Sequence, residues 1–394
     1  MPELIFYYSR ENRWSVNALA AALEAERIKG LRLSFAATEE EFLRAALAAG
    51  PGTAAAVSFF TCQKKAAASL AARLRGRDLL LLAGGPHPSA LPEEALAMGF
   101  DCVVAGEGEA ALVSLMREFC AGGRPSGVIR GKRQQDLGQW PPFPVRAGLF
   151  GPIEITRGCP FACAYCQTSF LTGTRPRHRP VADILAHMRS LYAAGLKETR
   201  FVTPDAFGYG SHDGREMNLP ALRELLEEAD ALAEKHGGKI FFGSFPSEVR
   251  PEHVTPQALE LTRRHASNRR LIIGAQTGSP RLLAAIGRGH TTADILLACD
   301  LCREYRITPY LDFIFGLPGE TRADEKDTEA MIEELSRRGA MIHVHAFMPL
   351  PGTPFAGNRG RGITATGEAF LKRMETRGKA FGKWRVQRGL ARES

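Results

Sequence analysis

The chain has 394 residues, 44% of them hydrophobic, and a formal net charge of +8. It is long for one domain and comfortable for two, with apolar content ample for two cores. No run of 18 apolar residues occurs, so no membrane span is predicted. The opening Met1-Pro2-Glu3-Leu4-Ile5-Phe6 lacks the basic lead and small-residue cleavage site of a signal peptide. The charge is uneven: residues 356–394 hold ten Lys plus Arg against three Asp plus Glu, which leaves the first 355 residues nearly neutral. Such a segment attracts nucleic acid or an acidic protein, or is a solvated helical face, and the last reading is favoured over nucleic acid.

In chain order, the first half alternates short apolar runs with helical stretches. Strands are predicted over residues 4–8, 31–36, 54–60, 79–83 and 102–105, and helices over 16–27, 39–48, 65–74 and 93–98. This rhythm predicts an α/β fold with a doubly wound, Rossmann-like parallel sheet over residues 1–121. Ligands of such sheets sit beyond the carboxyl ends of the strands. Ser58 and Thr61 flank the end of the third strand, Gly84-Gly85-Pro86-His87 follows the fourth, and Gly106-Glu107-Gly108-Glu109 follows the fifth. Residues 122–149, with Trp140-Pro141-Pro142-Phe143-Pro144, read as a linker.

Residues 150–355 restart the alternation. Strands are predicted over 153–156, 199–203, 239–242, 271–274, 309–315 and 341–347, with helices including 181–194, 219–236 and 323–338. Six βα units suit a partial (β/α)6 barrel with its chemistry at the carboxyl ends of the strands. The first strand leads into Arg157-Gly158-Cys159-Pro160-Phe161-Ala162-Cys163-Ala164-Tyr165-Cys166. Three thiolates at this spacing suit a [4Fe–4S] cluster with one iron left open. A structural zinc site with His178 as a fourth ligand is the competing reading. Cys62, Cys102, Cys120, Cys299 and Cys302 read as core residues. Polar or turn-forming groups follow the later strands: Asp205; Ser247, Glu248 and Arg250; Gln276, Thr277 and Ser279; and Leu350 with Pro351. Arg250 suits a carboxylate because a guanidinium grips it with two prongs. Residues 175–180 form a basic loop, and residues 356–394 a basic C-terminal extension.

The cysteine run, with aromatic Tyr165 before its last cysteine, resembles the radical S-adenosylmethionine (radical SAM) family. The resemblance implies that SAM chelates the open iron, and that an external electron donor reduces the cluster to cleave SAM into a 5′-deoxyadenosyl radical. It implies SAM contacts from Tyr165, Asp205, Ser247, Arg250, Gln276, Thr277, Ser279, Leu350 and Pro351. The family usually has Glu at the position of Gln276 and often Lys at that of Arg288. The stretches Asp312-Phe313-Ile314-Phe315-Gly316-Leu317-Pro318-Gly319-Glu320-Thr321 and Phe347-Met348-Pro349-Leu350-Pro351-Gly352-Thr353-Pro354 resemble the subgroup preceded by cobalamin-binding domains. Cobalamin contacts are then expected from Ser58, Thr61, Gly84, Gly85, Pro86, His87, Gly106, Glu107, Gly108 and Glu109. The Asp-x-His-x-x-Gly cobalt-ligand motif is absent, so the lower face of the cobalt is expected to lack histidine.

The resemblance covers residues 3–355 and implies a cytoplasmic C-methyltransferase that uses two SAM per turnover. One SAM would methylate the cobalt and the other would generate the radical that activates an sp3 carbon. No acid–base residue is assigned, Tyr165 being the one outside candidate. Residues 166–169 and 245–251 resemble a compact methanogen-type group, one of whose members methylates a glutamine of methyl-coenzyme M reductase. A protein or peptide substrate is therefore expected. The alternatives are methylation or rearrangement of a small metabolite, and a cobalamin carrier or sensor with an idle barrel.

Overall fold

Strands such as Leu80–Gly84 and Cys102–Ala105 are apolar on both faces and almost wholly buried. A sheet built from them must be covered by helices on both sides, which is the parallel α/β arrangement. A computed structural model describes residues 1–393, and side chains as far as 391. Within it the chain divides into two units, residues 1–151 and 152–394.

The first unit holds six parallel strands: β1 (Glu3–Tyr7), β2 (Arg32–Ala36), β3 (Thr53–Ser58), β4 (Leu80–Gly84), β5 (Cys102–Ala105) and β6 (Gly127–Arg130). Their order in the sheet is β2-β1-β3-β4-β5-β6. Helices α1 (Arg13–Ala25), α2 (Glu39–Ala48), α3 (Lys64–Leu74), α4 (Pro86–Ala90), α5 (Pro92–Ala97) and α6 (Glu109–Cys120) connect them. Strand alternation sends Ile5 to one core with Phe42, Leu70 and Phe100, and Leu4 and Phe6 to another with Val16, Leu115 and Met116. Two features differ from the sequence reading. Residues 127–130, within the expected linker, pair with β5 as an edge strand. Four half-exposed residues carry too little periodicity to announce a strand. His87 lies in the short helix α4 and not in an open loop.

The second unit opens with β7 (Ile153–Glu154) and a two-residue ladder between β8 (Thr156–Arg157) and β9 (Arg177–His178), which frames the cysteine loop and α7 (Thr168–Thr172). The barrel continues through α8 (Val181–Ala193), β10 (Glu198–Val202), α9 (Leu219–Lys235), β11 (Lys239–Phe241) and α10 (Pro256–His265). Then follow β12 (Arg270–Gln276), α11 (Pro280–Ala285), α12 (Thr292–Glu304), β13 (Thr308–Phe315), α13 (Arg322–Arg337) and β14 (Met341–Ala346). Strands β11, β10 and β7 form one parallel sheet, and β12 and β13 pair in parallel with β14. Residues 243–249 join the two sheets: Ile272 N–H donates to the Gly243 carbonyl (2.9 Å), and Gly274 N–H to that of Val249 (3.0 Å). Along β13, Pro309, Leu311, Phe313 and Phe315 are buried, while Tyr310, Asp312 and Ile314 alternate on the other, more open face.

The basic C-terminal segment is folded. It forms α14 (Ala365–Thr376), β15 (Ala380–Phe381) and α15 (Trp384–Glu393), and β15 adds a further parallel strand beside β14. Trp384 is fully buried and its indole N–H donates to Glu375 (2.9 Å). Arg385 pairs with the same carboxylate, and Arg388 with Glu368. Two of the ten basic residues are thus held in ion pairs within the segment. Trp384→Ala should lower the urea stability of this unit by about 3–5 kcal/mol, as for a large buried aromatic. A loss below about 0.5 kcal/mol would show that α15 does not pack as described.

Candidate functional site

The cysteine loop is pinned on every side by its own backbone. Cys159 N–H donates to the Gly173 carbonyl (3.0 Å), and the Cys159 carbonyl accepts from Ser169 Oγ (2.7 Å). Ala164 N–H donates to the Ile286 carbonyl (3.0 Å), and Gln167 Nε2 to the Pro351 carbonyl (2.8 Å). Gly158, at φ +98°, turns the chain between β8 and Cys159, where a Cβ would run into the Arg175 carbonyl. Cys163 is buried, whereas Cys159 and Cys166 are partly exposed. Burial pushes the Cys159 and Cys166 thiols up, and hydrogen bonds from Thr168 partly offset this for Cys166. Iron binding must therefore displace these protons. Among the described residues, the one His/Cys/Asp/Glu trio whose ligand atoms all lie within 4.8 Å of one another is Asp312, His343 and His345. Three thiols with no fourth protein ligand among the described residues suit an iron–sulfur cluster with one open iron better than a closed structural zinc site, which takes four ligands. His178 does not join them; its ring meets Thr156 Oγ1 (3.0 Å) and the Ser211 carbonyl (2.8 Å).

Behind the thiols stands a buried guanidinium. Arg288 donates through Nη2 to the Gly274 carbonyl (2.7 Å) and through Nη1 to Cys163 Sγ (3.7 Å). A Cβ on Gly274 would lie 2.5 Å from Arg288 Nη2, 2.7 Å from Gln276 Nε2 and 3.2 Å from Glu248 Oε2. A cation, an amide and a carboxyl therefore converge where only glycine leaves room. Gln276 reaches this place from a left-handed backbone, φ +72°. Arg288 Nε is buried without a hydrogen-bond partner. Burial raises the Tyr165 phenol well above its ordinary value, although Arg288 pulls the other way.

The other residues expected at the barrel mouth each have protein partners. Asp205 accepts from Arg250 N–H (3.3 Å) and meets His253 Nδ1 (2.5 Å). Burial alone would lower the His253 pKa, but the Asp205 carboxylate outweighs it and raises it. Arg250 pairs with Glu252 (2.6 Å), donates to the Arg288 carbonyl, and lies over the Phe161 ring of the cysteine loop (3.3 Å). Ser247 donates to the Phe201 carbonyl (2.5 Å). Thr277 meets Thr328 (3.0 Å), and Ser279, the N-cap of α11, donates to Asp324 (2.6 Å), so both hydroxyls are engaged with α13. Leu350 and Pro351 lie in the loop that the Gln167 side chain ties to the cysteine segment. Arg288 was visible in the sequence only as a replacement for Lys; its approach to Cys163 across 125 residues has no local signal.

In the first unit, Ser58, Thr61, Gly84–His87 and Gly106–Glu109 gather at the carboxyl ends of the adjacent strands β3, β4 and β5. Gly85 (φ +96°) and Gly106 (φ +93°) turn the chain there, and Gly106 N–H donates to Ser89 Oγ (2.9 Å). Glu107 accepts from Gln134 N–H (2.8 Å) and Glu109 is buried in the first turn of α6. Ser58 Oγ meets Ser15 Oγ (3.1 Å). His87, the only histidine of the unit, is fully buried, with Nδ1 on Thr61 (3.3 Å) and Nε2 facing Glu94 (3.5 Å). It braces the loop and is not presented at the sheet edge.

These donor sets fit the groups the sequence suggests. Three thiols suit a cluster with an open iron, neighbouring groups of both charges suit a zwitterionic amino acid, and a small-residue edge suits a bulky planar ligand. Residues 153–332 match the Radical SAM superfamily and residues 11–116 match the B12 binding domain. An uncharacterised protein of Methanopyrus kandleri is 29% identical over 209 residues, 51% of this chain and 38% of that one. The ribosomal protein uS12 methylthiotransferase RimO of Syntrophobacter fumaroxidans is 31% identical over 205 residues, 51% of this chain and 43% of that one. The chain thus spans about half the length of the curated relatives it matches. Among solved structures, the methyltransferase TsrM of Kitasatospora setae, with cobalamin and a [4Fe-4S] cluster bound, aligns at TM-score 0.69 and 18% identity, over 90% of this chain and 77% of that one. The cobalamin-dependent radical enzyme OxsB aligns at TM-score 0.63 and 16% identity, over 84% of this chain and 52% of that one. No helix of the described residues is long and apolar enough to cross a membrane. The chain carries a B12 binding domain followed by a radical SAM domain, and the cofactors of those domains are cobalamin, a [4Fe–4S] cluster and S-adenosylmethionine.

Proposed function

We propose that this protein is a cobalamin-dependent radical SAM C-methyltransferase acting on an unactivated carbon. The observation that carries the reading is the presence, in one chain, of the three-thiol loop at one barrel's mouth and a B12 binding domain with a small-residue edge. When bound, the cluster with SAM supplies a carbon-centred radical and the cobalamin supplies a transferable methyl group. TsrM and OxsB, the cobalamin-bound neighbours in fold, support pairing these cofactors. A peptide glutamine, as in methyl-coenzyme M reductase, is the first substrate to test, with the protein carrying it as partner.

The chain's own residues have definable tasks. Cys159, Cys163 and Cys166 would hold the iron, and Arg288 Nη1, donating to Cys163 Sγ, fixes that side chain against the strand ends. Gln276, Glu248 and Arg288 offer the polar contacts for the amino-acid end of SAM. Tyr165 packs with Ile286, Leu317 and Phe347 and excludes water on the inner side of the loop. Glu248 is poised to hold a proton: burial raises its pKa to about 7, Arg288 opposing and Asp312 and Asp205 adding to the rise.

Three outcomes are expected. Reconstituted protein given methyl-deuterated SAM, a reductant and a glutamine-containing reductase peptide should yield labelled peptide, 5′-deoxyadenosine and S-adenosylhomocysteine together, read by mass spectrometry. Deoxyadenosine with unlabelled peptide would move the search to a metabolite, and neither product from a loaded protein would favour a carrier or sensor. Replacing any one of Cys159, Cys163 or Cys166 by Ala should remove the cluster's iron, sulfide and visible absorbance, while leaving cobalamin binding by the first unit intact. Finally, the native Glu248 pKa lies above the unfolded value, so the folded state binds the extra proton between about pH 4.5 and 7 and loses stability as pH rises through that window. Glu248→Gln should therefore be no more stable than the parent near pH 4.5 and roughly 2–3 kcal/mol more stable at pH 8, by urea unfolding of the unreconstituted chain. A difference that does not change with pH would refute that protonation.

A further inference from the structure

The trio Asp312, His343 and His345 sits on the open face of β13 and β14. Asp312 stands opposite His343 in the ladder, and His345 follows two residues later on the same face. All three are partly exposed. At first sight two imidazoles and a carboxylate are a metal site.

The hydrogen bonds argue otherwise. His343 Nδ1 is 2.9 Å from Asp312 Oδ1, so in the neutral ring Nδ1 carries the hydrogen and Nε2 the lone pair. Gln387, from α15, accepts from Ala346 N–H through Oε1 (3.0 Å). That backbone donor fixes the amide, so its Nε2 is the atom 3.2 Å from His345 Nδ1. His345 Nδ1 therefore accepts, and its hydrogen sits on Nε2. Burial, then His343, lowers the His345 pKa and keeps that ring neutral. A metal would need lone pairs from both rings, but one ring offers a lone pair and the other an N–H. The two rings are 4.1 Å apart between centroids, and Phe381 stacks on His343 (4.7 Å, 11°), which locks the arrangement.

We infer that His343 and His345, set by Asp312 and Gln387, form a recognition site for a neutral group with an acceptor and a donor side by side, a primary carboxamide. The amide NH2 donates to His343 Nε2 and the amide oxygen accepts from His345 Nε2–H. A carboxylate lacks the donor and meets the negative charge of Asp312. An ammonium lacks the acceptor that His345 requires. Unsatisfied polar pairs of this kind discriminate more strongly than apolar fit does. That the bound group belongs to the substrate rests on the proposed methyl transfer, whereas binding itself does not.

The test uses the reconstituted full chain without reductant and three probes of matched size: butyramide, butyrate and butylammonium. Saturation-transfer NMR reads weak binding directly. Butyramide should bind at least tenfold better than either charged probe. His343→Phe and Gln387→Leu should each abolish its signal, with far-UV circular dichroism and cluster absorbance unchanged. Equal or stronger binding of a charged probe, no signal from any probe, or butyramide binding that survives both substitutions would overturn the site. So would a stoichiometric metal ion beyond the cluster iron that His343→Phe removes. Binding of butyramide by a protein that never methylates a peptide would leave this site standing and sink the methyl-transfer reading alone.

Discussion

A guanidinium with almost no water around it is costly unless every contact is compensated, and Arg288 is such a group. It holds the Gly274 carbonyl on β12 and Cys163 on the cysteine loop, while its own carbonyl accepts from Arg250. Arg250 in turn lies over Phe161, two residues before Cys163. The cysteine loop is thus tied to the strand ends through two cations, Arg288 by its bond to Cys163 and Arg250 by its place over Phe161. Removing either would leave a buried charge or carbonyl unmatched. Burial, then the Arg288 cation and Arg250, push the pKa of the neighbouring His290 down to about 3 and keep that ring neutral.

That cation also divides the barrel into two chemically distinct regions. Near Cys163 stand the thiols, the Arg288 cation and the proton-holding Glu248. On the open face of β13 and β14, the Asp312 carboxylate orients His343, and His343 and His345 offer an acceptor and a donor. Burial raises the Glu248 pKa, Arg288 opposes the rise and Asp312 adds to it. A barrel that must handle a cofactor and a second molecule separately needs such a division, and parallel strands provide it by placing alternate side chains on one lining.

The C-terminal segment illustrates how charge and packing are read differently. Ten basic residues in residues 356–394 read as a solvated helical face or as a segment that attracts an acidic partner. Folded, the segment supplies β15, the buried Trp384 and Gln387, whose amide fixes the His345 tautomer. Arg385 and Arg388 find acids within the same segment. Its role in the structure is to extend the barrel's sheet.

The sequence by itself determined the α/β rhythm, the strands of both units to within a few residues, the thiol spacing and the small-residue loops. These are local properties: apolar runs of strand length, turn residues and fixed offsets between ligands. Edge strand β6 escaped because four half-exposed residues carry no period, and β15 because two residues carry less. The His343 and His345 alternation was present as a strand pattern but had no meaning without Asp312 across the ladder. Only the tertiary structure brought Arg288 to Cys163 and Gln387 to His345, and gave Thr277 and Ser279 to α13. Those contacts join residues dozens to more than a hundred positions apart, and the partner of a buried polar group is chosen by which strand ends and helices the fold makes adjacent, which no local stretch of sequence encodes.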